Sequence, residues 1–382
     1  MDDGAKLTRK MPLSSIPCLR RVSAGEFLRT NLEVEFLAGY HDHRRKRPPS
    51  VWIGAVLVGV VLIYTGILLC VQAIGSRLEH RDAVESVGTL DERFTSELLT
   101  MEYSGHTWQY RKSDLTNLLL IGVDWEEGED AEDAENDRYA GQADFLLLVT
   151  IDRKNESVST IQMDRDTIAD IRIYGPFGDY TGIQQTQICL SHAYGTGEEE
   201  NSGNTVWAVS RLLNDIPIDG YLTLDMSSIA LINDALGGVT VSLEEDFSAL
   251  DPQMTAGTTL TLQGVQAEYY VRGRMNVGDG TNAGRMKRQR TFIRAAEELL
   301  IQKMNEDADY IGTVYDLLDG HLATNFDRSR LIQRAYECRM YQRPDTEVPA
   351  GTHSIGTDGF MEFHVDEDAL NALVAEKFFE KT

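Results

Sequence analysis

The chain has 382 residues, 42% of them hydrophobic, and a formal net charge of −25 at pH 7. This hydrophobic fraction excludes disorder throughout and is enough for the core of one large domain or two ordinary ones. The acidic balance argues against a nucleic-acid-binding protein, because nucleic-acid phosphates require a basic protein surface.

An uncharged apolar run extends from Val51 to Ala73. It is long enough to cross the hydrocarbon core of a bilayer, so we predict one transmembrane helix at residues 51–74. The alternatives are a cleaved signal peptide and a buried core helix. The run is too long for a signal peptide and lies far from the N-terminus, which favours the transmembrane helix.

Four cations, Arg44 to Arg47, precede this run. The positive-inside bias therefore places residues 1–50 in the cytoplasm as a tail, and everything after the span outside the cell membrane. The tail holds ten Lys and Arg against six Asp and Glu; of the chain's −25 it contributes +4, which leaves −29 for the outer part. The outer cysteines, Cys189 and Cys338, form either one disulfide or two buried thiols.

Residues 75–113 are predicted to be an extracytoplasmic stalk, because Arg77 to Leu99 mix both charges at helical spacing. One domain is predicted over residues 114–382. Its first two strands are expected at the apolar runs 118–121 and 145–149, which are typical of buried central strands.

An acidic stretch, Glu126–Asp137, connects these two strands and has eight acidic residues among twelve. It is typical of a solvated loop, with cation binding as the less favoured alternative. Further strands and helices alternate along the chain, which predicts a layered α/β or α+β fold. The strands are expected at 158–163, 221–224, 239–243 and 360–364, and the helices at 206–213, 227–236, 285–304, 307–318, 327–341 and 366–379.

A cluster of cations occupies residues 272–294, where the single acid is Asp279. The cations are Arg272, Arg274, Arg285, Lys287, Arg288, Arg290 and Arg294. Helical spacing over Arg285–Met304 turns Arg285 and Gln289 onto the same inward face as an apolar stripe. A cation in a first helical turn opposes the macrodipole, and an inward arginine needs a partner, so a bound phosphate would satisfy both. Surface salt bridges explain the pattern equally well.

Two aspartates lie at the ends of predicted strands. Asp124 ends the first apolar strand and Asp144 begins the second, so their carboxylates can meet at one sheet edge as ligands for Mg²⁺. Arg165 and Asp166 follow the strand at 158–163. Each residue alone is more often a turn or cap residue. Together they supply the metal ligands and cations that phosphoryl transfer from a pyrophosphate requires.

These residues lie in motifs that resemble the LytR-CpsA-Psr family of envelope phosphotransferases, over residues 114–304. The motifs are Asn117–Asp124 (NLLLIGVD), Ala143–Asp144, Arg165–Thr167 (RDT), His192–Gly195 (HAYG), Asp234–Val239 (DALGGV), Gln263–Ala267 (QGVQA), Tyr270–Arg274 (YVRGR) and Gly284–Arg290 (GRMKRQR). The resemblance implies a layered α/β/α sandwich with a central mixed sheet. It also implies an apolar tunnel for a polyprenyl chain and an arginine-lined mouth for its pyrophosphate.

The resemblance further implies roles for individual residues. Mg²⁺ would be held by Asp124 and Asp144, the pyrophosphate would be bound by Arg165, Arg272, Arg274, Arg285 and Gln289, and Asp166 would support Arg165 or act as a base. The catalytic residues would be Arg165, Asp166 and Arg285. In the expected reaction a peptidoglycan hydroxyl attacks the glycan-proximal phosphorus of a polyprenyl-pyrophosphate-linked teichoic acid or capsule-type polymer. Polyprenyl phosphate is then released into the membrane lipid.

The sequence departs from the family pattern at three positions. Gln142 stands where many members have Arg, Asp164 replaces the usual Pro before Arg165, and Gln187 falls near a usual Lys. Two fewer positive charges would weaken pyrophosphate binding or change the choice of donor. His192 is interpreted as a structural residue rather than a general base, because it stands at a predicted helix start.

Three functions are compatible with these residues. The first is a Mg²⁺-dependent phosphotransferase, and the second is a non-catalytic, membrane-anchored binding or sensory protein that holds anionic glycan with its arginines. The third is a hydrolase of lipid pyrophosphates that uses water as the acceptor. The presence of Asp124 and Asp144 favours an enzyme, because a binding protein does not require a metal site.

Overall fold

The computed structural model describes residues 99–124, 141–175, 180–194, 198–274 and 277–382. Its strands are β1 Thr100–Tyr103, β2 His106–Tyr110, β3 Leu115–Val123, β4 Ala143–Asp152, β5 Ser157–Met163, β6 Ile168–Tyr174, β7 Tyr180–Gln187, β8 Gly220–Asp225, β9 Thr240–Ser242, β10 Thr259–Thr261, β11 Leu322–Thr324, β12 Gly351–Ile355, β13 Met361–Val365 and β14 Phe379–Lys381. Its α-helices are α1 Glu198–Leu212, α2 Ser228–Ala235, α3 Val265–Arg272, α4 Asn282–Glu306, α5 Tyr310–Leu317, α6 Arg328–Glu337 and α7 Glu367–Phe378. Two 3-10 helices cover Ile188–Tyr194 and Cys338–Met340.

Five strands form the central sheet in the order β11-β8-β3-β4-β5. β3 is parallel to β8 and antiparallel to β4, and β5 and β11 are antiparallel to their neighbours. β3 and β4 lie at the centre because both carry long apolar runs that can be buried on two faces. The predicted mixed α/β fold with a central mixed sheet is therefore confirmed.

Helices cover both faces of this sheet. On one face, Leu119 and Leu148 pack in the main core with Val209 of α1 and with residues of α7. On the other face, Leu120 and Leu147 border a cavity that is also lined by α2 and α4. The alternation of side chains along β3 and β4 supplies both sets of contacts.

A second core cluster holds the segment that carries the cations. Phe247 and Tyr270 are buried together with Phe292 of α4. The ring centroids of Phe247 and Tyr270 lie 5.8 Å apart. Because α3 ends at Arg272 and α4 begins at Asn282, this packing fixes the two helix ends next to each other.

Four smaller sheets lie around the central one: β1-β2-β14, β6-β7, β9-β10 and β12-β13. Residues 100–110, which the sequence assigned to the stalk, form β1 and β2, and β2 pairs with β14. The tail, the predicted span at 51–74, the stalk before residue 99 and the acidic stretch Glu126–Asp137 lie outside the described residues. Within the described ranges, no helix combines the length and apolar character needed to cross a membrane.

Candidate active site

Two carboxylates lie at one edge of the central sheet. Val123 at the end of β3 faces Ala143 at the start of β4, and Asp124 and Asp144 each follow one of them. The backbone N–H of Asp124 donates to the carbonyl O of Gln142 at 3.3 Å, which holds the two strand ends together. The antiparallel pairing therefore places both predicted metal ligands at the same edge.

Asp144 is paired with two arginines. Arg165, after β5, donates to one carboxylate oxygen, and Nη1 of Arg285 lies 3.2 Å from the other. The Arg285 side chain is 8% exposed and that of Asp144 9%. Burial lowers the pKa of Arg285. The negative charge of Asp144 raises this pKa, and the positive charges of Arg165 and Arg274 lower it. Arg165 and Arg285 both carry N–H donors that bind phosphate oxygens as well as carboxylates, which suits an anionic ligand.

Arg285 is held in the first turn of α4. The side chain of the N-cap residue Thr281 accepts a hydrogen bond from the backbone N–H of Gly284, which starts the helix. The side-chain oxygen of Asn282 accepts from Nε and Nη2 of Arg285 at 3.1 and 2.7 Å. The amide nitrogen of Asn282 donates to Oδ1 of Asp164 at 2.7 Å. Arg285 is therefore fixed by both α4 and the end of β5.

Asp166 is a buried carboxylate beside Arg165. The residue is 4% exposed, and its Oδ1 lies 3.5 Å from Nε of Arg165. Its Oδ2 is buried with no hydrogen-bond partner among the described residues. Burial raises the pKa of Asp166, Asp164 adds to this, and Arg165 opposes it. A raised pKa and an unoccupied lone pair are properties of a group that accepts a proton.

Arg272 and Arg274 lie on the other side of the site. Nη2 of Arg272 lies 2.5 Å from Oδ1 of Asp124, and Nη1 lies 2.6 Å from Oε1 of Glu268, one helical turn earlier. Nε of Arg274 donates to the carbonyl O of Gly280 at 3.2 Å, and the charge of Arg274 lowers the pKa of Asp166. Both arginines of the YVRGR motif therefore belong to the same charged cluster.

Gln289 lies one turn after Arg285 on the same face of α4 and is 5% exposed. Nε2 of Gln162 donates to Oε1 of Gln289 at 2.9 Å, and Nη1 of Arg290 donates to Oε1 of Gln162 at 2.8 Å. Because arginine can only donate, it fixes the orientation of the Gln162 amide, and that amide in turn fixes Gln289. The NH₂ group of Gln289 is then directed away from Gln162 and available to a ligand.

The remaining cations of residues 272–294 form ion pairs at the surface or with neighbouring loops. The pairs are Lys287 with Glu244, Arg288 with Glu245, and Arg294 with Asp345. The salt-bridge explanation therefore holds for these three cations. Arg285 lies inward beside Asp144 and Arg272 beside Asp124, and a phosphate bound by them stays a prediction.

An apolar cavity of about 420 Å³ adjoins the charged cluster. Its apolar lining includes Leu120, Leu147, Val149, Ile229, Ile232 and Phe292, and its charged lining includes Asp124, Asp144, Arg272 and Arg285. Val149 lies five residues along β4 from Asp144, a distance of roughly 17 Å, so Asp144 and the two arginines occupy one end, whereas Glu297 lines the cavity further along α4. Such a cavity fits a molecule with an apolar chain and an anionic head.

The carboxylates at the sheet edge fit a magnesium ion by their chemistry. In the part of the chain that the structure describes, no three His, Cys, Asp or Glu side chains converge as a metal-binding group. Mg²⁺ is nevertheless usually held by one or two carboxylates, with water and substrate phosphate as its other ligands. Asp124 and Asp144 provide such a pair, and each would exchange an arginine for the metal.

Arg165 has two further contacts that the sequence did not predict. Its Nη2 donates to the side-chain oxygen of Gln142 and lies 3.3 Å from Sγ of Cys189. Gln142, which stands where many members of the family have Arg, thus orients an arginine instead of adding one. Burial raises the pKa of Cys189 to about 11, so it is a neutral thiol at pH 7. Cys189 and Cys338 are both buried free thiols, which settles the choice left open by the sequence.

Two polar residues singled out in the sequence, His192 and Gln187, have protein partners. Nδ1 of His192 lies 2.9 Å from the carbonyl O of Gly141, and burial lowers the pKa of His192 to about 4. The ring is therefore neutral at pH 7 and is enclosed by protein. Nε2 of Gln187 donates to the carbonyl O of Met361 at 2.7 Å.

The C-terminal hairpin β12–β13 contacts the site, which the sequence did not predict. The backbone N–H of Phe363 donates to the carbonyl O of Asp166 at 2.8 Å. Nε2 of His353 lies 3.0 Å from Oδ2 of Asp164, 189 residues away in the chain. A contact over this sequence distance leaves no local pattern from which it could be predicted.

The fold and this site agree with a known family. The profile of the LytR_cpsA_psr family matches residues 79–377. This match covers well over half of the chain, and the chain therefore belongs to the LytR_cpsA_psr family. The resemblance drawn from the motifs is confirmed.

Several relatives with assigned names are similar to this chain. The polyisoprenyl-teichoic acid–peptidoglycan teichoic acid transferase TagU of Oceanobacillus iheyensis is 25% identical over 344 residues, which cover 88% of this chain and 95% of that protein. The protein of the same name from Bacillus cereus is 28% identical over 267 residues, covering 69% and 77%.

Solved structures share the fold. Protein gbs0355 from Streptococcus agalactiae has a TM-score of 0.57 and 21% identity, covering 69% of this chain and 87% of that chain. The structure described as TagT bound to LI-WTA has a TM-score of 0.51 and 20% identity, covering 69% and 90%. At these identities the likeness shows the fold alone.

Proposed function

We propose that this chain is a phosphotransferase that attaches a polyprenyl-pyrophosphate-linked glycopolymer to peptidoglycan through a phosphodiester. The observation that carries the proposal is the apolar cavity that ends at Asp144, Arg272 and Arg285. The names of the TagU relatives support a polymer of the teichoic acid type. From the sequence we further propose that residues 51–74 anchor the chain in the cell membrane, with this site outside it.

The apolar and the charged parts of the site would each bind one part of the lipid substrate. The apolar lining would take the polyprenyl chain, and the cationic end would take the pyrophosphate. The groups that would bind pyrophosphate oxygens are Arg165, Arg272, Arg274, Arg285 and the amide of Gln289. Neutralising the charge on the phosphoryl oxygens and holding them in place supply most of the catalysis in phosphoryl transfer.

The chemical step uses Asp166 and the arginines. Oδ2 of Asp166 accepts the proton of a peptidoglycan hydroxyl as the hydroxyl oxygen attacks the glycan-proximal phosphorus. The new P–O bond forms, and the bond from this phosphorus to the bridging oxygen breaks. Polyprenyl phosphate leaves with the electron pair, and Arg165 and Arg285 stabilise the charge that develops. Mg²⁺ held by Asp124 and Asp144 would supply further positive charge at the pyrophosphate.

The first test measures transfer directly. The full-length chain in detergent is given a short polyprenyl-pyrophosphate oligosaccharide, peptidoglycan fragments and Mg²⁺, and the phosphodiester-linked product is quantified. We expect Arg285→Ala to lower kcat by about 10²–10³, the usual loss for a group that stabilises developing charge. Asp144→Ala should lower kcat as well, because it removes a proposed ligand of Mg²⁺. Arg294→Ala removes an exposed arginine that pairs with Asp345 and should retain full activity.

The same experiment separates the two competing functions. Tight lipid binding without turnover, unaffected by Asp144→Ala, would instead indicate a binding or sensory protein. Release of polyprenyl phosphate with no peptidoglycan-linked product would indicate a hydrolase, which uses the same residues with water as acceptor.

A further inference from the structure

Asp164 has three polar partners although it is 3% exposed. Its Oδ1 accepts from the backbone N–H of Asp166 at 2.9 Å and from the side-chain amide of Asn282 at 2.7 Å. Its Oδ2 lies 3.0 Å from Nε2 of His353. A buried carboxylate that collects donors from three parts of the chain determines how each of these donors is oriented.

The orientation of Asn282 follows from this contact. An ionised carboxylate only accepts hydrogen bonds, so the Asn282 side chain must turn its NH₂ group toward Asp164 and its oxygen away. That oxygen accepts from Nε and Nη2 of Arg285 at 3.1 and 2.7 Å. If the amide were reversed, its NH₂ group would face the guanidinium, and two donors would oppose each other.

The orientation of Arg285 follows in turn. A guanidinium has five N–H donors in one rigid plane. Asn282 takes two of them, and Nη1 lies 3.2 Å from Oδ2 of Asp144, which fixes a third. The remaining donors, one on each terminal nitrogen, then have fixed directions at the charged end of the cavity.

We propose that Asp164 is a positioning residue for Arg285: acting through Asn282, it sets the plane in which the guanidinium meets the phosphate oxygens of the ligand. This inference rests on the proposed function in that it takes the ligand to be a pyrophosphate. A misoriented arginine keeps its charge but loses the bidentate geometry that makes arginine effective on phosphate.

The test measures binding of inorganic pyrophosphate to the full-length chain in detergent, with Mg²⁺, by titration calorimetry. Asp164→Ala removes the oxygen that accepts from the Asn282 amide, so that amide is free to reverse. We expect its Kd for pyrophosphate to rise about tenfold, the loss expected for one well-oriented charged hydrogen bond.

A variant of the intermediate residue provides an independent test. Asn282→Ala removes the side chain through which Asp164 acts, so it should raise the Kd for pyrophosphate by about tenfold. Asp164→Ala added to it should change the Kd no further. If Asp164→Ala alone does not fold, Asn282→Ala decides the question: an unchanged Kd in the folded Asn282→Ala variant overturns the proposal.

Two further variants separate positioning from stability. In the background of Arg285→Ala, Asp164→Ala should leave the pyrophosphate Kd unchanged, because the arginine through which it acts is gone. Asp152→Ala alters another buried aspartate, 6% exposed and 2.6 Å from Arg111, and should lower Tm without changing the Kd. An unchanged Kd in Asp164→Ala, or equal losses with and without Arg285, would overturn the proposal.

The transfer assay distinguishes failure of this inference from failure of the proposed function. A wild-type chain that binds pyrophosphate with the expected variant pattern but does not transfer polymer would refute the proposed function and retain the role of Asp164. Normal transfer by the wild type, with a pyrophosphate Kd that does not respond to Asp164→Ala, would refute the role of Asp164 and retain the proposed function. A wild-type chain that does not bind pyrophosphate would refute both.

Discussion

The carboxylate of Asp166 is buried with one oxygen that has no hydrogen-bond partner among the described residues. Because burial raises its pKa above that of an unfolded chain, folding disfavours the ionised form, and stability is lost as the pH rises through the folded pKa. Asp166→Asn should therefore raise the free energy of unfolding at pH 7 by about 1 kcal/mol, seen as a Tm higher by roughly 2–4 °C. It should also abolish transfer, because the base is gone.

The measurement is thermal melting of wild type and Asp166→Asn at pH 7 and pH 4, with transfer assayed at pH 7. The stabilisation should shrink at the lower pH, where the wild-type carboxyl group is closer to its neutral form. A variant less stable than wild type at pH 7 would mean that the arginines around Asp166 outweigh its burial, and retained transfer would exclude it as the base.

Single residues of the site were predictable where a local pattern marks them. Asp144 stands at the start of an apolar strand, and Arg285 lies on the inward face of a helix. Asn282 stands three residues before Arg285, a spacing that brings two helical side chains together, so it too has a signal in the sequence. The role of Asp164, seen at first only as a replacement for proline, depends on contacts with α4 and β12 that no spacing reveals.

The start of helix α4 sets the position of Arg285 and Gln289. The Thr281 side chain accepts from the backbone N–H of Gly284 at 3.1 Å. Thr281→Ala should lower the free energy of unfolding by about 1 kcal/mol, whereas Thr281→Ser keeps the hydroxyl and should lose much less. Denaturant titration of the three proteins checks this, and equal stability of the Ala and Ser variants would show that the cap contributes nothing.

Elements with strong apolar periodicity were predicted close to their observed positions, whereas polar ones were missed. α4 was expected from Arg285 but begins at Asn282, because the one apolar side chain of its first turn, Ala283, is exposed and does not extend the buried pattern. The hairpin of β6 and β7 was not predicted. Most of β7 is exposed and its sequence, YTGIQQTQ, has no alternation of apolar and polar residues. Its pairing with β6 supplies the stability that its own sequence does not indicate.

At the scale of the whole molecule, β14 joins the two ends of the described domain. Phe379 is 3% exposed, and its ring packs edge-on against Tyr110 of β2 with centroids 5.7 Å apart. Phe379→Ala should lower the free energy of unfolding by about 3 kcal/mol, because it leaves a cavity in the core. Phe360→Ala, at a residue that is 64% exposed, is the matched control and should change stability little. Equal effects of both changes in a denaturant titration would contradict this account.

The mixed α/β class was predictable because strands and helices of contrasting periodicity alternate along the chain. The pairing of β2 with β14 was not, because it joins residues far apart in sequence, and residues 100–110 were accordingly assigned to a stalk. Sequence patterns report what lies within a few residues, whereas such pairing depends on how the whole chain packs.

The late position of β14 has a consequence for how the protein is made. Thr107 and Thr382, which are hydrogen-bonded at 2.9 Å, are 275 residues apart in the chain. A polypeptide emerging from the ribosome therefore carries β1 and β2 long before their third strand exists, and β2 presents an unpaired edge during that time. Such edges are sites of aggregation. Cells that make this protein rapidly would need to shield that hairpin until the last strand arrives.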